Sequence, residues 1–189
     1  MTVIAGLLLA AGAGRRMGMP KALVDDWLVR SIGVLADGGC DEVLVVLGAA
    51  ADEARDRLPA GQQVVVAEDW DAGMGASLRA GLQALGTDVD AAVVHLVDLP
   101  DVGADVVRRV VISTRSTHRS TGPTTGQSWL ARAAYDGVPG HPVLIGRDHW
   151  EGVVEAAVGD HGARGYLKTH DVHVVECGDL AGGRDVDSR

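Results

Sequence analysis

Three glycines and three cationic side chains lie together in residues 7–23, LLLAAGAGRRMGMPKAL. The apolar run that opens this segment has the composition of a buried strand. Glycine lets the backbone approach a ligand closely, and its N–H group can face a phosphate oxygen. The cations that follow are Arg15, Arg16 and Lys21. In a chain of net charge −9, this local positive charge predicts a triphosphate or pyrophosphate site, and the alternative is a surface turn with solvated arginines.

The spacing of the glycines distinguishes this segment from two familiar phosphate-binding loops. The P-loop requires GxxxxGK[ST], and here Gly18 is followed by Met19 and Pro20, which excludes that motif. The dinucleotide fingerprint requires GxGxxG, whereas Gly12, Gly14 and Gly18 form GxGxxxG. That fold also places an acidic residue at the end of the second strand. Here the end of that strand reads VVLGAAADE, so the apolar run VVL is followed by GAAA and not by an acidic residue. An NAD(P)-binding oxidoreductase therefore remains an alternative with weak support.

Asp98 is the carboxylate best placed to bind a metal ion. It follows the apolar run AAVVHLV, residues 91–97, and precedes Leu99 and Pro100. Ligands of open α/β sheets bind beyond the carboxyl ends of the strands, so we expect Asp98 and the glycine segment at one edge. Carboxylates hold Mg²⁺ while it bridges phosphate oxygens. The alternative for Asp98 is a cap on a helix that starts near residue 103, although Asp101 suits that role better.

The elements that must position these residues alternate between strands and helices. Short apolar runs predict strands at residues 3–9, 42–47, 63–67, 91–97 and 172–177. Segments of helical period predict helices at about 28–38, 50–58, 75–86 and 103–113. Because several strands are continuously apolar, we expect both faces of the sheet to be covered. The fold class predicted is α/β, a three-layer Rossmann-like, mostly parallel sheet with helices on both faces.

The pattern changes after residue 113. Residues 113–128, STRSTHRSTGPTTGQS, are rich in Ser, Thr and Gly and predict a mobile surface loop. Residues 129–146 predict two short strands around a turn, and a helix is expected near 148–157. No repeat or linker interrupts the chain, so a single domain is expected over residues 1–189.

Composition and charge narrow the class of protein. The net charge of −9 argues against a nucleic-acid partner. Cys40 and Cys177 form no CxxC or zinc spacing, which indicates free thiols in a reducing compartment. No apolar stretch approaches the roughly 20 residues that cross a bilayer, and the arginines follow the N-terminal apolar run, unlike those of a signal peptide. We therefore expect a cytoplasmic protein with no membrane partner.

Several motifs resemble those of the molybdenum cofactor nucleotidyltransferases, in particular the cytidylyltransferases. LAAGAGRRMGMPKAL is similar to their LAAGxGxRMGxPKxL, and residues 70–82 are similar to WxxGMxxSLRxGL. Four later segments resemble further motifs of that family. Residues 93–102 resemble a strand ending in DxP, and residues 135–146 resemble a GHPV segment. Residues 159–167 resemble a GDxGAR segment, and residues 185–188 resemble a terminal DIDT. The resemblance covers nearly the whole chain and implies a nucleotidyltransferase fold of the glycosyltransferase-A type.

The resemblance also implies roles for residues of the nucleotide side. Arg16 and Lys21 would neutralise the triphosphate and the departing pyrophosphate, and they would be catalytic together with Asp98. Asp98 and Asp185 would hold Mg²⁺, with Asp187 as the near alternative to Asp185 and a solvated acidic tail as the other interpretation. The residues expected to bind the nucleotide are Leu9, Ala10, Ala11, Gly12, Gly14, Arg15, Gly75 and Ser77.

Some of these roles have competing interpretations. Ser77 could instead cap its helix, and Arg15 stands where related loops often carry Thr, so its role is open. On the acceptor side, the resemblance points to His141, Asp160 and Arg164. Arg164 could hold a phosphate bidentately, whereas a turn or core histidine is the alternative for His141.

The activity implied by the resemblance is transfer of CMP from Mg·CTP to the terminal phosphate of molybdopterin, with release of pyrophosphate. Leu-Ala-Ala-Gly at residues 9–12 favours CTP, whereas relatives with Leu-Ala-Gly-Gly use GTP. A GTP- or UTP-dependent transfer to a sugar phosphate or phospholactate is one alternative. A non-catalytic carrier or chaperone of the cofactor is another. A molybdoenzyme or its chaperone would be the protein partner.

Overall fold

A seven-stranded sheet organises the computed structural model, which describes residues 2–120 and 126–187. The strands are β1 (Ile4–Ala10), β2 (Glu42–Leu47), β3 (Gln63–Val66), β4 (Ala91–Leu96), β5 (Leu130–Tyr135), β6 (Val138–Gly146) and β7 (His173–Glu176). Their spatial order is β3-β2-β1-β4-β6-β5-β7. Strands β1 to β4 are mutually parallel and β7 is parallel to β5, while β6 runs antiparallel to both β4 and β5.

Helices cover both faces of this sheet. Within the described residues they are α1 (Trp27–Asp37), α2 (Ala51–Arg55), α3 (Met74–Ala84), α4 (Ala104–Ser120), α5 (Trp150–Ala156) and α6 (Arg164–Leu167). α1 and α4 share one hydrophobic cluster with one face of the sheet, and α3, α5 and α6 share a second cluster with the other face. The predicted three-layer α/β fold with a mostly parallel sheet is confirmed.

Strand β1 shows why the central strands are apolar at every position. All seven of its residues are buried. Ile4 and Leu8 belong to the cluster of α1 and α4, whereas Leu7 and Leu9 belong to the cluster of α3, α5 and α6. Successive side chains of a strand point to opposite faces, so a strand between two helical layers needs apolar residues at both.

The topology brings several chain segments to one edge of the sheet. The carboxyl ends of β1 and β4 lie side by side, because the two strands are parallel and in register from Ile4–Ala91 to Leu9–Leu96. β6 runs antiparallel to β4, so its first residues reach the same edge. The glycine segment after β1 and Asp98 after β4 therefore meet there, as the sequence predicted.

The predicted loop at residues 113–128 is wrong for its first part. Helix α4 continues to Ser120. The hydroxyl of Thr114 donates to the carbonyl of Val110 at 2.7 Å, and Ser116 donates to Ile112 at 3.0 Å. These bonds satisfy the polar side chains inside the helix, so a Ser/Thr-rich composition does not end it. Residues 121–125 lie outside the described part, and Gly126–Ser128 form a short 3₁₀ turn.

The remaining predicted elements agree with the structure in type. The two strands and turn expected at residues 129–146 are β5 and β6, and the helix expected near 148–157 is α5. Among the residues that the structure describes, no helix combines the length and apolar character needed to cross a membrane.

Candidate active site

A cavity of about 650 Å³ opens at the edge of the sheet where β1 and β4 end. This volume lies in the range of small-molecule sites. Predicted site residues lining it are Leu9, Ala10, Ala11, Gly12, Gly14, Arg15, Arg16, Lys21, Ser77, Asp98, Asp160, Arg164 and Asp185. Gly75 and His141 are the predicted site residues that do not line it. One cavity thus brings together residues that are up to 178 positions apart in the chain, since 187 − 9 = 178.

The glycine segment folds into a tight turn above the end of β1. The N–H groups of Met17 and Gly18 both donate to the carbonyl of Gly14 at 2.9 Å. Gly14 has a φ of +60°, and a Cβ at this position would lie 1.8 Å from the carbonyl oxygen of Met19. Only glycine fits this conformation and this close approach. The turn returns the chain to Pro20 and to the 3₁₀ turn Lys21–Leu23, which places Lys21 over the cavity.

The start of α3 forms a second wall of the cavity. Gly73, with a φ of +110°, precedes the first helical residue, Met74. A Cβ at Gly73 would lie 2.6 Å from the carbonyl carbon of Gly159, so the loop that carries Asp160 packs directly against this helix start. No side chain caps α3. The capping alternative for Ser77 therefore does not hold, and this buried side chain lines the cavity.

Gly75 serves packing in the structure. A Cβ there would lie 2.6 Å from the carbonyl oxygen of Ala157, at the end of α5. The absence of a side chain lets α3 and the segment after α5 approach closely. The sequence motif GMGAS gave no way to separate this packing glycine from the glycine that precedes the helix.

Lys21 connects the glycine segment to the carboxylates across the cavity. Its Nζ donates to Oδ2 of Asp98 at 2.5 Å and to Oδ1 of Asp187 at 2.7 Å. Burial opposes the charge of Lys21, but the hydrogen bonds to Asp187 and Asp98 outweigh it and raise the pKa of the ammonium group. The hydrogen bond from Lys21 likewise lowers the pKa of Asp187. Arg16 reaches Asp187 at 2.7 Å, although its side chain is 77% exposed and water weakens that pair.

Three carboxylates converge beside Lys21. Asp98, Asp185 and Asp187 each offer an oxygen, and these oxygens lie within 4.8 Å of one another. Oδ1 of Asp98 is buried and accepts no hydrogen bond from the described residues. A buried carboxylate oxygen without a partner is costly, and a divalent cation is the ligand that would satisfy it. The donor set is all oxygen, which suits Mg²⁺ or Mn²⁺.

Hydrogen bonds donated by its backbone N–H groups hold the segment 182–187 over the site. Oδ2 of Asp101 accepts hydrogen bonds from the N–H groups of Gly182 and Gly183 at 2.8 and 3.0 Å. The N–H of Val186 donates to the carbonyl of Asp98 at 3.0 Å. Asp101 was predicted only as a cap or turn residue, and its contact with the distant glycines has no signal in the local sequence. Asp187 is partly buried and pairs with Lys21 and Arg16, whereas Asp185 is exposed, so the solvated-tail interpretation remains the alternative for Asp185.

On the far side of the cavity, Asp160 and Arg164 form part of the wall. His141 lies in β6 and does not line the cavity. Burial, together with the positive charges of Arg132 and Arg164, lowers the pKa of His141 to about 4. The imidazole is therefore neutral at physiological pH.

Sequence reasoning missed three residues of this region. Trp70 lines the cavity and was quoted only as part of a motif. Asp187 was only the near alternative to Asp185, yet it contacts both Lys21 and Arg16. Arg132 received no role, although one arginine in the otherwise apolar strand LARAAY is a visible signal.

A family described as the MobA-like NTP transferase domain matches residues 6–174 of this chain. Nicotine blue oxidoreductase of Paenarthrobacter nicotinovorans is 36% identical over 201 residues, which covers 98% of this chain and 92% of that protein. Molybdenum cofactor guanylyltransferase of Rhodobacter capsulatus is 33% identical over 150 residues, which covers 78% of this chain and 65% of that protein.

Solved structures share this architecture. The crystal structure of Rv0371c from Mycobacterium tuberculosis H37Rv matches with a TM-score of 0.78 at 27% identity, over 99% of this chain and 94% of that chain. A structure of the same mycobacterial protein in complex with manganese matches with a TM-score of 0.73 at 26% identity, over 93% of this chain and 89% of that chain.

Proposed function

Because this chain belongs to the MobA-like NTP transferase domain family, as its motifs predicted, we propose that it transfers CMP from CTP to the terminal phosphate of a molybdopterin-type acceptor and releases pyrophosphate. One observation carries the proposal: the hydrogen bonds of Lys21 to Asp98 and Asp187 join a glycine turn to a carboxylate cluster inside one cavity. Anion-binding and cation-binding groups lie side by side there, as a metal-bound triphosphate requires.

The nucleotide side of the proposal rests on the glycine segment. The backbone of Leu9, Ala10, Ala11, Gly12 and Gly14 lies along the cavity and would contact the base and phosphates, with Ser77 opposite. Arg15 lines the cavity as well and would add positive charge. The Ala10-Ala11 pair favours cytosine. A guanylyltransferase among the relatives keeps GTP as the alternative base.

The phosphates would be held by Arg16 and Lys21. Both side chains now pair with Asp187, so the triphosphate would exchange places with this carboxylate. An oxygen of the acceptor phosphate forms a bond to the α-phosphorus, and the bond from that phosphorus to the bridging oxygen of the pyrophosphate breaks. Arg16 and Lys21 stabilise the negative charge that develops on the leaving pyrophosphate.

Asp98 and Asp185 would hold the divalent cation, with Asp187 beside them. Two observations support this assignment. Oδ1 of Asp98 has no hydrogen-bond partner among the described residues, and a similar protein has been solved in complex with manganese. Mg²⁺ is the proposed ion, and when bound it would screen the charge between the two anionic reactants.

The acceptor would enter from the side of Asp160 and Arg164, with His141 close to Arg164. We place the protein in the cytoplasm, consistent with its two unpaired cysteines, and a molybdoenzyme or its chaperone is the partner that would receive the product.

The direct test is a panel of CTP, GTP, UTP and ATP with Mg²⁺, with and without molybdopterin, and pyrophosphate is measured. We expect pyrophosphate to appear with CTP only when both the acceptor and Mg²⁺ are present. Release from GTP would change the base assignment. Tight acceptor binding with no release from any nucleotide would support the non-catalytic carrier, and equal release by Asp98→Ala would refute the metal site.

One relative favours a second candidate. Nicotine blue oxidoreductase is similar over nearly the whole chain, and an NAD(P)-dependent reductase would place its dinucleotide pyrophosphate on the same glycine segment. Such an enzyme would oxidise NAD(P)H while it reduces nicotine blue, without a divalent metal. Oxidation of NADH or NADPH in the presence of EDTA and nicotine blue would establish this activity, and no oxidation of either would exclude it.

A further inference from the structure

Two arginines lie beside the cavity with no carboxylate to neutralise them. Arg132 lies in β5, and Arg164 is the first residue of α6. Among the described residues, neither guanidinium has a carboxylate within ion-pair distance. The protein as a whole carries a net charge of −9, so counter-charges for surface arginines are plentiful elsewhere. Several other described arginines also lack an ion pair, so the surroundings of Arg132 decide whether this pair of cations can hold an anion.

Strand register places Arg132 on the face that leads to the cavity. Arg132 pairs with Val143 of β6, and Val143 pairs with Val94 of β4. Val94 and Val143 belong to the hydrophobic cluster of α3, α5 and α6. Side chains two residues apart in a regular strand share a face, so Leu96, which lines the cavity, points to this side as well. Arg132 also donates to the carbonyl of Gly140, the residue before His141, which brings its guanidinium to this part of β6.

The guanidinium of Arg132 has N–H donors that make no hydrogen bond to the described residues. Its Nε is buried and has no hydrogen-bond partner among the described residues. One of its terminal nitrogens donates to the carbonyl of Gly140 at 3.3 Å, which is long for a hydrogen bond. Burial, with the positive charge of Arg164, lowers the pKa of Arg132. The surroundings thus oppose its charge, and an anion would relieve both the desolvation and the repulsion.

We propose that Arg132, together with Arg164 and His141, forms a subsite for a phosphate monoester dianion, and that Arg132 is a further acceptor-binding residue. The identification of this anion as the phosphate of the transferase acceptor rests on the proposed function. Guanidinium groups match phosphate oxygens with two parallel hydrogen bonds, and two of them balance a charge of −2. The neutral imidazole of His141 offers one further donor without adding charge.

Inorganic phosphate is a suitable probe for this subsite. Titration calorimetry would use the chain carrying Arg16→Gln and Lys21→Gln, which removes the cations of the glycine segment that would bind phosphate themselves. In this background we expect one phosphate to bind and Arg132→Gln to weaken its binding at least 10-fold. Arg132→Lys should restore part of the affinity, because it restores the charge but not the planar fork.

A matched control is Arg109→Gln, since Arg109 pairs with Asp179 and does not line the cavity. It should leave phosphate binding unchanged. If the doubly substituted background does not fold, the comparison is made in the wild-type chain, where Arg132→Gln should remove one of two phosphate sites. Equal affinity with and without Arg132, or no phosphate binding at this second site, would overturn the proposal.

The subsite and the proposed function can fail separately. Arg132-dependent phosphate binding without nucleotide-driven pyrophosphate release would leave the subsite intact and refute the transferase. Normal pyrophosphate release by Arg132→Gln, with an unchanged KM for the acceptor, would refute the subsite and leave the transferase intact. Both measurements use the purified chain of 189 residues.

Discussion

Among individual residues, Lys21 contributes most to the organisation of the cavity. Its ammonium group is the common partner of Asp98 and Asp187, which reach the site from β4 and from the segment 182–187. Sequence alone indicated Lys21 as a phosphate ligand and Asp98 as a metal ligand, but by separate arguments. The contact between them depends on the register of β1 against β4, which no local motif encodes.

Loss of Lys21 should slow the chemical step. Lys21→Gln removes a donor that would stabilise the departing pyrophosphate, and we expect kcat to fall roughly 100- to 1,000-fold, or about 2.7–4 kcal/mol of barrier. Steady-state pyrophosphate release measures this change. Lys168→Gln is the matched control, because Lys168 is exposed and lies outside the cavity lining. Equal kcat values for the two variants would contradict the role of Lys21.

Asp187 should compete with anions for the same cations. Its carboxylate pairs with Lys21 and Arg16, so Asp187→Asn should tighten metal-free tripolyphosphate binding by roughly 5-fold, the scale of an ion pair worth about 1 kcal/mol. Calorimetry in EDTA measures the affinity. Asp179→Asn breaks an exposed pair with Arg109 and should change nothing. A weaker affinity in Asp187→Asn would show that this carboxylate does not compete.

Among the elements, the glycine turn and β4 determine the shape of the site. The sequence predicted the strands to within a residue or two, because strands covered on both faces are continuously apolar. The extension of α4 to Ser120 could not be predicted, since Ser and Thr favour turns unless their hydroxyls bond back to the helix, as Thr114 and Ser116 do. The resemblance pointed to Asp185 and Asp187, but the anchoring of the segment 182–187 could not be predicted, because its anchor, Asp101, is about 80 residues away in the chain.

Alanine substitutions at Gly14 and Gly12 test the conformation of the glycine turn. Gly14→Ala forces a Cβ to within 1.8 Å of the carbonyl oxygen of Met19 at a φ of +60°. We expect the free energy of unfolding to fall by at least about 1–3 kcal/mol, the cost of a non-glycine residue in such a conformation. Gly12→Ala meets no atom within 4 Å and should leave stability unchanged. Urea unfolding compares them, and equal midpoints would mean that the turn is not built as described.

Strand β4 carries a titratable group in the core. Burial lowers the pKa of His95 to about 3, with smaller contributions from His141 and Arg30, and neither ring nitrogen has a partner among the described residues. Between about pH 6.5 and pH 3 the unfolded chain binds a proton at this residue that the folded chain does not. Stability is therefore lost as the pH falls, by about 1.4 kcal/mol per pH unit.

Replacement of this histidine should remove that pH dependence. We expect His95→Leu to lose about 2 kcal/mol less stability than the wild type between pH 7 and pH 5. Chemical unfolding at a series of pH values gives the comparison, and the carboxylates common to both chains cancel in the difference. Parallel stability curves would show that His95 takes up its proton over the same pH range in the folded and the unfolded chain, and would contradict this prediction.

In the molecule as a whole, the ends of two neighbouring strands and the starts of two helices form the cavity. The glycine segment follows β1 and Asp98 follows β4, while Met74 begins α3 and Arg164 begins α6. We predict that residues 1–189 form a single cooperative domain. Calorimetric unfolding should give one transition whose calorimetric and van't Hoff enthalpies agree, and two resolved transitions would refute the single domain.

The fate of the α-phosphorus distinguishes nucleotidyl transfer from hydrolysis and from binding alone. With CTP labelled at the α-phosphate, molybdopterin and Mg²⁺, we predict that the label moves covalently to the acceptor while one unlabelled pyrophosphate is released per transfer. Asp98→Ala should abolish both events. Label that remains in CTP, or that appears as free CMP without any labelled acceptor, would refute nucleotidyl transfer by this chain.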